Sequence, residues 1–420
     1  MAKIALLFPG QGSHYVGMGK TLYQSFAEAR ETFEEANQVL GFDLKRLCFE
    51  GNMDELTKTE NTQPAILTAS VAAYRVYMKE IGVKPDFMAG HSLGEISALC
   101  SAGALDFIDA VRIVRQRGKF MQGAVTPGIG GMAAINGAPP SIVMDVCHKV
   151  SSETEFVVVS NYNSPDQIVI SGHHKPLQKA GEKLSSAGAT VIPLRVSAPF
   201  HSPLMKPAAD QLKLELEKYT FSQLKYPVIS NVTAEPYPDQ DSISDYLTKQ
   251  LIHTVRWLDS MEYIIQQGVD LTVELGPQTV LRNLMKKIAP QIRGYAYDDG
   301  ADSRALRTEL DAIEQQPKMI KGGMDFIIKC IAEAVCTKNN NHNEQDYQKG
   351  VVEPYQQIKR MKDEIEKAKR QPTAAEVSSA FEMLKRVFKT KKVPDSEQIE
   401  RFNILIETTQ IKGFFNDFKY

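Results

Sequence analysis

Gly90-His91-Ser92-Leu93-Gly94 follows the short, mostly apolar run Asp86-Phe87-Met88-Ala89 and precedes Glu95-Ile96-Ser97-Ala98-Leu99-Cys100. The first run reads as the end of a buried strand, the second as a helix. Gly-x-Ser-x-Gly between them is a nucleophile elbow. Small residues flank a serine on a tight, strained turn, which thrusts its hydroxyl out at the top of a sheet with a helix N-terminus behind it. The amide of Leu93, just after the serine, would point at an oxyanion. The five residues alone leave a second reading open, a Gly-rich loop with a capping serine. The strand–turn–helix setting and the partners elsewhere in the chain decide between them.

The chain has 420 residues, enough for two or three domains. Its apolar fraction of 43% is ordinary and its formal net charge is -2, which points to neither nucleic acid nor an anionic membrane as a partner. No apolar run is long enough to span a bilayer. Met1-Ala2-Lys3-Ile4-Ala5-Leu6-Leu7-Phe8 is too short for a signal peptide and is broken by Pro9-Gly10-Gln11-Gly12. It reads as the first strand. Five cysteines, odd in number and without metal-ligand pairing, suit a reducing cytoplasm.

Outward from the elbow, the pattern is α/β. The first strand runs into a loop with four glycines in ten residues, Gly10 to Gly19. That loop lacks the Gly-Lys-Ser/Thr end of a P-loop and the glycine spacing of a dinucleotide fingerprint. Helices are expected at 22–40, at 65–80 with Pro64 in its first turn, and at 110–122, where Arg112, Arg115, Arg117 and Lys119 interleave with apolar residues. Residues 130–196 read βαββαβ, a ferredoxin-like small domain inserted into the larger one. Its strands fall at 132–135, 156–160, 167–171 and 190–196. Alternation then resumes with a helix at 202–219 and strands at 227–230, 271–275 and 294–297, so that a parallel sheet covered by helices is predicted. The expected divisions are 1–129 and 197–315 for the large domain, 130–196 for the small one, and 316–420 for an all-helical C-terminal extension. In that extension Met324, Ile327, Ile328, Ile331 and Val335 are expected on one helix face, 339–343 as a polar linker, and Thr373 to Glu376 as a capping box. A last helix leads to the aromatic end Phe414 to Tyr420.

A serine nucleophile needs a base. Of the eight histidines, His91 adjoins Ser92 and points away from it in an elbow, and His14 lies in the glycine loop. His148, His173 and His174 belong to the small domain, His253 to a helix end and His342 to the extension. His201 lies where the chain re-enters the large domain, a place where a sheet-top site gathers residues. A histidine capping the helix that follows fits the residues equally well.

Six ordered motifs resolve the choice: Gly10-Gln11-Gly12-Ser13, Thr62-Gln63-Pro64-Ala65, Gly90 to Glu95, Arg117-Gly118-Lys119-Phe120-Met121-Gln122, Asn163-Ser164-Pro165 with Gln167, and Phe200-His201-Ser202. Together they resemble the malonyl-CoA:acyl carrier protein transacylases, the free-standing acyltransferases of fatty-acid and polyketide synthesis, over residues 1 to 312. The resemblance implies Ser92 as nucleophile and His201 as general base, oriented by the backbone carbonyl of Gln250. It implies the amides of Gln11 and Leu93 as oxyanion hole. Arg117 is implied as the partner of the malonate carboxylate, with Gln63 and Phe200 in the same pocket, His91 in support and Asn161 at the rim taking the pantetheine arm. It further implies ping-pong transfer from malonyl-CoA to an acyl carrier protein, with no metal or organic cofactor. Acyl hydrolases of the same fold are the alternative; there the pocket arginine is typically replaced. Chains of the family are expected to end near where the helical extension begins.

Overall fold

The computed structural model describes residues 3–126, 128–194, 196, 198–315, 322–409 and 411, with the side chains of 311–315 excepted. The chain forms two compact units, Met1–Glu309 and Leu310–Tyr420.

In the first unit, β1 (Lys3–Phe8), β2 (Phe87–Gly90), β7 (Val228–Ile229), β8 (Val269–Glu274) and β9 (Arg293–Ala296) form a five-stranded parallel sheet in the order β7-β2-β1-β8-β9. β1 lies at its centre, and Ile4 to Phe8 are all buried. A parallel strand is covered on both faces, so its sequence reads as a continuous apolar run. One face packs on Trp257, Met261, Ile264, Leu281 and Met285.

The second sheet is antiparallel. β3 (Gly130–Asn136), β4 (Val157–Ser164), β5 (Gln167–His173) and β6 (Thr190–Pro193) lie in the order β4-β5-β3-β6, with helices Pro140–Val150 and His174–Ser186. This is the ferredoxin-like arrangement read from the sequence. Alternation sorts its two faces. Ala133, Ile135, Ile168 and Ile170 pack with Val143, Cys147, Ala180 and Leu184. Met132, Val169 and Leu194 face the other way, into a cavity. β4 is fastened to the large domain by backbone bonds: Val255 donates to Ser160 O at 2.8 Å and Tyr162 donates to Val255 O at 3.0 Å.

Several elements differ from the sequence reading. The 22–40 helix is two, Lys20–Ser25 and Ala27–Leu40, broken where Phe26 turns to an extended φ of -127°. The next helix runs Thr59–Glu80 with Pro64 inside it, not in its first turn. Pro64 has no N–H for the Glu60 carbonyl, a defect that normally breaks a helix. Here Arg115 Nη1 supplies the donor at 2.6 Å. The 202–219 helix is a 3-10 turn, Pro203–Met205, followed by Lys206–Leu216. β6 ends at Pro193, short of 196.

The second unit is helical and has its own core, including Phe326, Val377, Phe381, Leu384, Phe388 and Phe402. The capping box at Thr373 and Glu376 is formed. The helix Gly323–Cys336 buries Phe326, Ile327, Cys330 and Ala334, whereas Ile328 and Val335 are exposed. The expected face is thus rotated by about one position, because Phe326 and Cys330 hold its centre. Residues 339–343 are an ordered loop rather than a linker. Asn339 and Asn341 each accept from the backbone two residues on, and Asn343 caps the helix Glu344–Tyr347. The aromatic end, 414–420, lies outside the described residues.

Candidate active site

Three neighbouring strands, β7, β2 and β1, end at one edge of the parallel sheet, and each delivers a part of the site just beyond its C-terminal end. Asn231 follows β7, Ser92 follows β2 and Gln11 follows β1. Such strand ends are where open α/β sheets place ligands. The elbow's glycines are demanded by contact: a Cβ at Gly90 would overlap the Gly94 carbonyl, and one at Gly94 the Phe8 carbonyl. Ser92 itself sits at φ 52°, ψ -105°, and makes no side-chain cap bond to the helix Leu93–Ser101. A strained backbone of this kind costs about 1–3 kcal/mol and persists only when its surroundings hold it. Asn231 does the holding. Its Oδ1 accepts from Ser92 N–H at 2.7 Å, and its Nδ2 donates to Gly90 O at 2.7 Å.

The Ser92 hydroxyl lies 2.8 Å from His201 Nε2. His201 Nδ1 lies 2.8 Å from the Gln250 backbone oxygen. A carbonyl only accepts, so Nδ1 carries the proton and Nε2 presents its lone pair to the serine. The histidine is therefore committed to the serine and to Gln250, and caps no helix. It too has a positive φ, 56°. Arg117 Nη2 donates to Ser92 Oγ at 3.2 Å. The same nitrogen donates to Gln250 Oε1 at 2.7 Å, and Nη1 donates to Gln63 Oε1 at 2.8 Å. Arg117 is 1% exposed, and its Nε has no acceptor among the described residues.

These groups surround a cavity of about 150 Å³. Ser92, Leu93, Gln11, Arg117, His91, Asn161, Phe200 and His201 line it. The amides of Gln11 and Leu93 have no recorded protein acceptor among the described residues, which leaves both for an oxyanion. Gln63 does not line the cavity; it is fully buried beside Arg117, with Nε2 on Met121 Sδ, and serves the pocket as a hydrogen-bonding residue that holds the guanidinium. Gln250 also lies behind the cavity. His91 turns from Ser92 toward the small domain, its Nε2 2.9 Å from Asn163 Oδ1 and its ring against Trp257. Asn161 accepts from Ser160 Oγ.

Burial dominates the electrostatics. It pushes the His201 pKa down to about 3, with the nearby Arg117 and His91 adding to the shift and the Gln250 carbonyl opposing it. The imidazole is thus neutral throughout the physiological range, with its Nε2 lone pair free to take the serine proton. Acylation of Ser92 is expected to hold its rate as pH falls through 6.5, the ordinary imidazole value. Single-turnover CoA release measured across pH 5 to about 8 checks this, and an acid limb centred near 6.5 would contradict it. Between 6.5 and about 3 the unfolded chain binds a proton that the folded one refuses. His201 therefore lowers stability as pH falls across that window. Burial also lowers Arg117 to about 10, against the field of Glu95, and raises Glu95 to about 7, against the donors around it. Arg117 stays charged at neutral pH.

Asn231, Glu95 and Tyr237 went unassigned in the sequence. Glu95 stood inside a quoted motif, but nothing local distinguishes it from a solvated helix residue. Asn231 and Tyr237 lie more than a hundred residues away and carry no pattern. No group of His, Cys, Asp or Glu side chains suited to a metal occurs among the described residues.

A neutral histidine on an elbow serine, two free amides beside it and an arginine at the same oxygen define a serine acyl-transfer site on an α/β fold. The acyl transferase domain family matches residues 5–329. A malonyl CoA-acyl carrier protein transacylase of Bacillus subtilis is 40% identical over 399 residues, 95% of this chain and 99% of that one. The structure of the malonyl CoA-acyl carrier protein transacylase from Coxiella burnetii is 38% identical, with a TM-score of 0.72, over 74% of this chain and 98% of that one. A malonyl-transacylase solved in complex with its type II PKS acyl-carrier protein is 42% identical, TM-score 0.71, over 73% and 100%. The chain belongs to the acyl transferase domain family, within its malonyl-CoA:acyl carrier protein transacylases. The Escherichia coli transacylase, matched over 97% of its length by 71% of this chain, ends near where the helical extension begins, as expected, whereas the B. subtilis match of 399 residues takes in the C-terminal unit as well.

Proposed function

We propose that this chain moves a malonyl group from malonyl-CoA to the phosphopantetheine thiol of an acyl carrier protein through an ester on Ser92. The observation that carries the reading is the Ser92 hydroxyl held at 2.8 Å from His201 Nε2 and 3.2 Å from Arg117. In the first half-reaction His201 takes the hydroxyl proton as Ser92 attacks the thioester carbonyl. The Gln11 and Leu93 amides receive the oxyanion, each such donor being worth roughly 10²–10³ in rate. The tetrahedral adduct collapses, the C–S bond breaks, and the CoA sulfur leaves with the proton from His201. The second half runs in reverse, with the carrier thiol giving its proton to His201 and attacking the ester. Thioester and ester exchange without oxidation, and neither half consumes a metal or organic cofactor. Arg117 is the only cation lining the cavity among its described residues. A malonate carboxylate would pair with its guanidinium, in the two-point geometry arginine offers. The cytoplasm, where CoA thioesters and carrier proteins meet, is the compartment this chemistry implies. Among the described residues no helix is long and apolar enough to cross a membrane.

Phe200 walls the acyl chamber and is 6% exposed. It would crowd a 2-methyl branch. An apolar wall discriminates a methyl by about 1–3 kcal/mol, so Phe200→Ser is expected to relax selection against methylmalonyl-CoA by roughly tenfold to a hundredfold. Competition between malonyl- and methylmalonyl-CoA for Ser92, read by intact mass, checks this. Loss of both activities together with thermal stability would make Phe200 ordinary packing.

The test of the function is acylation itself: incubation with malonyl-CoA should release one CoA and add one malonyl group to Ser92. Acceptance of acetyl-CoA with no preference for malonyl-CoA would defeat the substrate assignment.

A further inference from the structure

We propose that Glu95 is a positioning residue for acyl selectivity, fixing the Gln250 side-chain amide so that its oxygen faces Arg117. This rests on the reading of Arg117 as the carboxylate partner.

Glu95 is fully buried in the first turn of the elbow helix and takes no part in the proton transfers described above. Every bonded neighbour donates to it. Tyr237 Oη donates to Oε1, while Gln250 Nε2, at 2.6 Å, and Asn231 N–H, at 3.2 Å, donate to Oε2. Gln250 also gives Nε2 to Ser92 O at 3.0 Å, and at its other end Oε1 accepts from Arg117 at 2.7 Å. The amide therefore bridges a cation and the Glu95 carboxyl, an anion above its pKa of about 7, with its dipole aligned to both. Turned over, it would set two acceptors together at Glu95 and two donors together at Arg117. Charge-assisted bonds are roughly twice as strong as neutral ones, so both ends favour the observed orientation. Arg117 has no carboxylate bonded to it among the described residues, and Glu95 is the one whose field reaches it. A buried guanidinium in this position is held by Gln63 on one nitrogen and by the Glu95–Gln250 chain on the other. The Gln250 backbone oxygen separately orients His201. One residue thus ties the base to the clamp, and Glu95 holds its side chain on the clamp side while also accepting from the Asn231 backbone.

A merely structural Glu95 would affect every acyl donor alike. A positioning role changes the ratio of malonyl to acetyl acylation, because acetyl has no carboxylate to place. The experiment measures kcat/KM for CoA release from malonyl-CoA and from acetyl-CoA in the full-length protein. Glu95→Ala and Gln250→Leu, the latter keeping the backbone carbonyl that holds His201, are each expected to lower the malonyl-to-acetyl ratio by about tenfold or more, the range of one lost charge-assisted bond. The double variant should fall no further than the lower single one, because both act through one amide. Glu95→Gln should stay within about threefold of the wild-type ratio, since its carbonyl still accepts from Gln250 and its amide can give to Tyr237. Should Glu95→Ala not fold, Glu95→Asp serves, with its carboxylate withdrawn by one methylene. Its ratio should drop about threefold or more with acetyl acylation little changed. An unmoved ratio in Gln250→Leu and Glu95→Asp, or an equal fall with both donors, would overturn the role of Glu95. If the wild-type protein itself shows no malonyl preference, it is the Arg117 reading that fails.

Discussion

Ser92→Ala is expected to carry no acyl group after exposure to malonyl-CoA. Among the described residues, the side chains lining the cavity include no cysteine or lysine that could substitute for it. His201 Nε2 would keep its lone pair, but without the serine it has no proton to take and no nucleophile to activate. Removal of the nucleophile from a serine catalytic unit costs about 10⁶ in rate, far more than loss of one oxyanion donor. The fold should survive, because Asn231 grips the elbow through the residue-92 N–H and Gly90 O, neither of which the substitution touches. Intact-mass measurement together with a thermal melt separates an inert site from an unfolded one. A malonyl adduct on another residue of folded Ser92→Ala would remove the serine from the mechanism.

Arg117→Ala is expected to lose malonyl acylation by orders of magnitude while acetyl acylation falls little. The guanidinium is buried, and breaking a buried ion pair by deleting one partner costs about 3–5 kcal/mol, or roughly 10² to 10³·⁵ in rate. Acetyl-CoA brings no carboxylate into the chamber and escapes that penalty. At the reacting serine it loses the 3.2 Å bond to Ser92 Oγ, which ties up the nucleophile before substrate arrives. Arg117→Lys should recover little, since an ammonium on a flexible stem cannot bond Gln63, Gln250 and a carboxylate in one plane. Rates of CoA release from the two donors check both variants. An Arg117→Ala protein with its full malonyl preference would defeat the clamp.

Much of this was written locally. The elbow declares itself because only glycine tolerates the contacts at 90 and 94, and the ferredoxin-like insert because its elements fall in the order βαββαβ. β1 reads as a strand because Ile4 to Phe8 are apolar without interruption. What escaped was long-range. Asn231 steadies the elbow from 139 residues away, at the end of a two-residue strand with no periodicity to notice. Pro64 was assigned to a first turn because propensity forbids it inside a helix, yet Arg115, from the helix Phe107–Gly123, satisfies the carbonyl it orphans. In the C-terminal unit the helix Gly323–Cys336 is apolar on more than one side, so its buried face was decided by its neighbours and not by its own pattern. Gln63 and Gln250 were legible as site residues, but not that both lie behind Arg117 and hold it.

The claim that matters most is transfer to a carrier protein, as opposed to hydrolysis by the same serine and histidine. The enzyme is first loaded with malonyl-CoA and freed of CoA on a desalting column, and holo acyl carrier protein is then added while the masses of both proteins are followed. The malonyl group should leave Ser92 and appear on the carrier's phosphopantetheine thiol, with the ester stable to water over the same interval when the carrier is absent. Release of free malonate at the same rate with and without the carrier, and an unmodified carrier at the end, would contradict the account.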